Sequence, residues 1–203
     1  MHRVIDRVIV FGGTGFVGRR IVRRLSDAGA TVPVASRHPA QDGGDNLEQV
    51  VADAHDERSV EAAVAGADGV VNAISLYVEH GADTFHSVHV KAAARIARVA
   101  RQAGVKRFVH VSGIGADTLS PSPYIRTRGE GEAAVQAAFS GAIVVRPAVI
   151  FARDDAFLTA ILGLAPLASS RAQISSSRAR SRLGCSCRKT YRCWPRVGPR
   201  QLK

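Results

Sequence analysis

Up to about residue 150, short apolar runs alternate with segments whose apolar residues recur every three or four positions. Residues 7–11 (RVIVF) are β-branched and almost continuously apolar, which predicts a strand buried on both faces. After the next turn, Val17, Ile21 and Leu25 fall at four-residue spacing on one helix face, and Gly29 sits where a helix C-terminal glycine belongs. Residues 31–36 read as a second strand, although Pro33 argues against a central place in the sheet. Residues 48–52, 69–74 (GVVNAI), 106–111 (KRFVHV) and 142–145 supply four more strand patterns. Residues 57–65, 84–103 and 129–139 read as helices. The long one carries Phe85, Val88, Ala92, Ile96 and Val99 on one face and arginines on the other. Residues 41–46 form a polar Gly/Asp loop. Regular β/α alternation with short connections predicts an α/β fold built on a doubly wound parallel sheet.

The turn between the first strand and first helix is Gly12-Gly13-Thr14-Gly15-Phe16-Val17-Gly18, a G-x-x-G-x-x-G spacing. Its context gives it force, because it follows a buried strand and opens an amphipathic helix, as in a Rossmann dinucleotide site. Gly12 permits the tight turn, Gly15 lets the backbone approach a pyrophosphate, and Gly18 lets the helix pack closely on the strand. The free N–H groups and positive end of the helix then stabilise the diphosphate. The bland reading is a glycine-rich turn without ligand. We count Gly12, Thr14, Gly15, Phe16, Val17 and Gly18 as cofactor-binding.

Cofactor choice rests on the end of the second strand. An acid there would hold the ribose 2′-hydroxyl and disfavour a phosphate. The sequence has Ser36-Arg37-His38, with no Asp or Glu before Asp42. Arg37 can pair with a 2′-phosphate through its planar fork, so NADP(H) is preferred and NAD(H) is the alternative. Asp53, after the third strand, is placed to meet the adenine edge, unless it serves only the loop; Asp56 is the better helix cap.

The segments VFGGTGFVGRRIV, VADA, VVNAIS, VHVSGIGAD, YIRTR and VVRPAVIF, in that order, resemble the atypical and extended short-chain dehydrogenase/reductases. Within these, residues 5–160 are most similar to the NAD(P)-binding group related to the large nucleotide-binding accessory subunit of respiratory complex I. The resemblance implies that Asn72, Ala73 and Ile74 line the adenosine ribose and diphosphate, and that Pro147 follows the strand beside the nicotinamide. It also implies that Ser112 and Tyr124 match the catalytic serine and tyrosine. A phenol becomes a usable acid/base when a cation one helical turn on stabilises its phenolate. Here the family's Tyr-x-x-x-Lys reads Tyr124-Ile125-Arg126-Thr127-Arg128. Arg128 keeps the charge with different geometry and proton behaviour. The pattern is therefore compatible with an oxidoreductase or epimerase/dehydratase, or with a nucleotide-holding structural or assembly subunit. The substrate is not legible; residues 77–83 and the C-terminal portion would encode it.

Composition changes the picture only at the C-terminus. The formal net charge is +11, but residues 166–203 hold ten Lys/Arg and no acid. Cys185, Cys187, Cys193 and Trp194 all lie there too. That segment has no sustained periodicity and reads as a non-native or disordered tail covering 161–203, the product of a frameshift in a GC-rich gene, with the substrate portion truncated. A nucleic-acid-binding basic arm is the weaker reading. Cys185-x-Cys187 lacks partners for zinc, and His80, His86, His89 and His110 lack acids or thiols at ligand spacing, so no metal is expected. No apolar h-region follows Met1-His2-Arg3, and the run at 157–168 is shorter than the roughly twenty residues a spanning helix needs. Together with the absence of cysteine before Cys185, this predicts a cytoplasmic protein, with peripheral membrane association as the variant.

Overall fold

The computed structural model describes residues 6–38, 48–148 and 150. All of them belong to the first of the chain's two units, Met1–Thr159. The loop at 41–46, the run at 157–168 and the tail at 161–203 lie outside the described residues.

Six strands form one sheet: β1 (Val8–Phe11), β2 (Val34–Ser36), β3 (Gln49–Val51), β4 (Gly69–Asn72), β5 (Arg107–Val111) and β6 (Ile143–Val145). Their order is β3-β2-β1-β4-β5-β6 and every pairing is parallel. The helices are α1 (Gly18–Asp27), α2 (Glu57–Val64), α3 (Ala93–Gln102) and α4 (Pro123–Ala138), with a π-helical segment (His86–Ala92) leading directly into α3. This is the doubly wound Rossmann arrangement that the alternation predicts.

The near-continuous apolar run of β1 is buried because its two faces meet different cores. Ile9 and Phe11 pack with Val60, Val64, Ile96, Val99, Phe108 and Val135 from α2, α3, β5 and α4. Val8 and Val10 face the other way, towards Val22 of α1 and Val34 of β2. Alternation along a strand thus feeds both layers.

Several boundaries differ from the sequence reading. Thr31 makes only an isolated bridge with Arg7, and Pro33 stands just before β2, where its carbonyl accepts from Val10 N–H at 2.9 Å. Its missing donor therefore interrupts no ladder. On α1 the fully buried residue is Val22, with Ile21 and Leu25 only partly buried beside it. Val22 is drawn in because Gly13 leaves space between it and Val34. Ala73 and Ile74 leave the sheet after β4 instead of extending it. The fourth helix starts at Pro123, not at residue 129, so Gly129 and Gly131 are mid-helix. Gly29 behaves as expected, with φ +88 and Ala30 N–H returning to Leu25 O. Among the described residues no helix is long and apolar enough to cross a membrane.

Candidate functional site

The C-terminal ends of β1 and β4 meet at the point where the strand order reverses, and there the glycine turn lies. Gly12 adopts φ +74, and a Cβ on it would fall 2.9 Å from the backbone of Ala73 and Ile74. Gly18 is equally constrained, since its Cβ would fall 2.0 Å from the Gly12 carbonyl oxygen. Gly13, unremarked in the sequence, is held by a third contact: its Cβ would meet Val34 Cγ1 at 2.8 Å. Gly15 is different. It is exposed, and a Cβ there would meet only the Gly12 carbonyl oxygen, at 3.3 Å. The protein's own packing thus accounts for Gly12, Gly13 and Gly18, while the open side of Gly15 fits a diphosphate. Among the described residues no side chain caps α1, and its first turn holds no acid, so the positive end of the helix is left for an anion in that space. The Phe16 ring carries the Arg20 guanidinium 3.9 Å from its centre, and its carbonyl accepts from Arg20 Nη1.

A cleft of about 300 Å3 opens beside this turn; Gly12, Thr14, Arg37, Asp53, Ile74 and Asp83 line it. Five of these were expected from the sequence. Asp53 accepts from His55 N–H at 2.9 Å, while Asp56 caps α2 by accepting from Arg58 and Ser59 N–H. Asp83 was not expected. It comes from the loop before the π-helical segment and meets Arg37 Nη1 at 2.8 Å through one carboxylate oxygen and His55 Nε2 at 2.8 Å through the other. The Arg37 hydrogen bond, opposed by burial and reinforced by His55, holds the Asp83 carboxyl below the ordinary carboxylate range. The only sequence signal for it was an acid directly ahead of Thr84, whose hydroxyl accepts from Ser87 N–H at the helix start.

The second group of expected residues comes from α4 and from the segments that follow β5 and β6. Arg128 places its guanidinium 4.9 Å from the centre of the Tyr124 ring and donates to Ser75 Oγ. It is buried, and its Nε has no hydrogen-bond partner. Tyr124 also contacts Tyr77, Phe85 and His89 in an aromatic cluster. Ser112 comes just after β5, and a Cβ on its neighbour Gly113 would lie 3.5 Å from Arg128 Nη1. The Ser112 hydroxyl is buried without a hydrogen bond of normal geometry and leans on Glu132. Burial opposes ionisation of Glu132, but Arg146 and the Ser112 hydroxyl hold its carboxyl below the usual range. Pro147 lies past β6, its carbonyl accepting from Ile114 N–H at 3.0 Å.

Two buried histidines brace these loops. Leu76 N–H donates to His89 Nε2 at 3.2 Å, so the proton sits on Nδ1, 3.2 Å from a Thr127 hydroxyl that itself donates to Pro123 O. Ile74 N–H fixes the Asn72 amide, whose nitrogen donates to His110 Nδ1 at 3.3 Å. Burial pushes both imidazoles down to about 4, helped in each case by the positive charge of Arg128.

The sequence profile of a family described as NAD(P)H-binding matches residues 12–156. The chain is 37% identical over 157 residues to the mitochondrial NADH dehydrogenase (ubiquinone) 1 alpha subcomplex subunit 9 of Mus musculus, covering 73% of this chain and 42% of that protein. It is 34% identical over 165 residues to the ceramide reductase of Caulobacter vibrioides, covering 80% of this chain and 51% of that one. A short-chain dehydrogenase/reductase superfamily protein from Agrobacterium tumefaciens, solved with bound NAD, shares the fold with TM-score 0.60 at 24% identity, over 70% of this chain and 48% of that one. The chain spans about half the length of these curated relatives, or less. Fold, glycine turn and relatives agree: this chain belongs to the NAD(P)H-binding family, is related to the complex I subunit, and has the fold seen in a short-chain dehydrogenase/reductase superfamily protein.

Proposed function

We propose that this NAD(P)(H)-binding protein prefers NADP(H) and acts as an oxidoreductase of the short-chain dehydrogenase/reductase type, with Tyr124 as its proton-handling group. The observation that carries the cofactor preference is the position of Arg37 on the cleft beside Gly12, at the end of β2, where no acid of that strand competes for the ribose. Gly15 and the N-terminus of α1 would take the diphosphate, Asp53 and Ile74 the adenosine, and Arg128 with Ser75 the second ribose. The nicotinamide, when bound, supplies or accepts a hydride. Tyr124 then holds or releases a proton at its phenol oxygen, and Arg128 fixes a permanent positive charge against its ring. Purified protein should oxidise NADPH with members of an aldehyde and ketone panel. Tyr124→Phe should lower kcat by about a hundredfold or more, as loss of a general acid does. Equal turnover by the variant would contradict the assignment.

A second reading, a subunit that holds the nucleotide without turnover, is favoured by Ser112, whose hydroxyl turns to Glu132 and makes no hydrogen bond to Tyr124. Tight NADPH binding with no consumption on any carbonyl would support it, and the partner is then a protein assembly. We assign the protein to the cytoplasm, with attachment to a membrane periphery as the variant, on its lack of cysteine before Cys185. Residues 161–203 we take as a frameshift product; an uninterrupted frame encoding the same tail in close relatives would contradict this.

A further inference from the structure

The cleft holds an acid that the end of β2 lacks, and it is delivered by a built loop. Gly81, at φ +56, closes a tight turn in which His80 and Asp83 exchange two backbone hydrogen bonds of 3.0 Å. The Ser87 hydroxyl donates to Ala82 O, and Glu79 accepts from Phe85 N–H, so both sides of Asp83 are tied to the start of the π-helical segment. The carboxylate is thus presented at a set position, and among the described residues one of its oxygens meets Arg37 and the other His55. A carboxylate has about four acceptor sites, so hydroxyl donors can still be taken. Arg37 is on the opposite footing. Its side chain is 52% exposed, and an ion pair so open to water exchanges readily for a better anion.

We propose that Asp83 and Arg37 form a two-way reader of the adenosine ribose: Asp83 accepts the 2′-hydroxyl of NAD(H), and Arg37 leaves Asp83 to pair with the 2′-phosphate of NADP(H). The proposal rests on the dinucleotide reading of this cleft and refines it. His55 makes the exchange workable, because it continues to hold Asp83 when Arg37 departs. Without that second tether the carboxylate would be left beside a phosphate of like charge, with nothing to draw it aside. Asp83 is therefore both the determinant that admits NAD(H) and the internal competitor that limits how tightly NADP(H) binds.

The test is a set of dissociation constants for the full-length protein with NADH, NADPH and adenosine 2′,5′-bisphosphate, measured by calorimetry. Asp83→Asn keeps the side-chain shape and removes the charge. It should weaken NADH by roughly threefold to tenfold and tighten NADPH and the bisphosphate. Arg37→Ala should weaken NADPH and the bisphosphate by tenfold or more while changing NADH by less than about threefold. Circular dichroism of each variant establishes folding, and Asp83→Ser repeats the measurement if Asp83→Asn is unfolded. An NADPH-to-NADH affinity ratio that is the same in the Asp83 variant and the parent would overturn the reader while leaving dinucleotide binding intact. Failure of the parent protein to bind either coenzyme would overturn the underlying reading, and the reader with it.

Discussion

At the residue scale the glycine turn separates structural demand from ligand demand. Gly18 is required by the protein, since a methyl group there meets the backbone oxygen of Gly12 at 2.0 Å, and backbone cannot rotate away. Gly15 is not required in that sense, because its only near neighbour lies at 3.3 Å. Gly18→Ala should therefore cost about 3 kcal/mol in denaturant unfolding, in the range of overpacked core substitutions. Gly15→Ala should cost under about 1 kcal/mol. Equal losses in urea titrations of the two variants would contradict this division. The spacing of Gly12, Gly15 and Gly18 was legible because it reflects local geometry. Gly13 was not, since its reason is Val34, which approaches only when β2 pairs with β1. Asp83 was missed for the same cause: it joins Arg37 across forty-six positions of chain, and no periodicity encodes that.

Elements meet through groups whose role depends on protonation. His89 links the loop after β4 to α4, and His110 links β5 to β4 through Asn72; both work as neutral rings. Their pKa values are pushed down to about 4, while the unfolded chain titrates near 6.5. Below 6.5 the unfolded state binds protons that the folded state refuses, so their contribution is complete above pH 6.5 and disappears as pH falls towards 4. The loss should reach up to about 3 kcal/mol for each ring. Unfolding midpoints between pH 7 and pH 4, with histidine proton resonances read by NMR, check this. Resonances assigned to His89 and His110 that titrate near 6.5 in the native protein would contradict it.

The α4 element also shows where pattern reading fails. The helix was read from Gly129, whereas Gly129 and Gly131 lie mid-helix, where glycine costs about 1 kcal/mol against alanine. Their reason is tertiary. A Cβ on Gly131 would fall 2.1 Å from His89 O and one on Gly129 2.6 Å from Thr118 N, so the glycines let α4 lie against neighbouring backbone. The π-helical turn at His86–Ala92 left no sequence mark either; the apolar face through Val88, Ala92, Ile96 and Val99 was read correctly and is buried.

On the scale of the molecule, the alternating pattern was enough for the doubly wound parallel sheet, and the β1–turn–α1 signal for the glycine turn between its first strand and helix; the strand order itself came from the structure. A parallel sheet that reverses direction between β1 and β4 opens a crevice there, and the turn after β1 meets the chain leaving β4 within it. Tyr124 and Arg128 came together as their helical spacing implied, whereas the Ser112 hydroxyl lies buried against Glu132. The central claim is that this crevice binds a dinucleotide through the open face of Gly15. Fluorescence titration of the full-length protein and Gly15→Ala with NADPH tests it most directly. The parent should bind saturably, and the variant, of near-parental stability, at least tenfold more weakly. A folded parent that does not bind, or a variant that binds equally well, would contradict it.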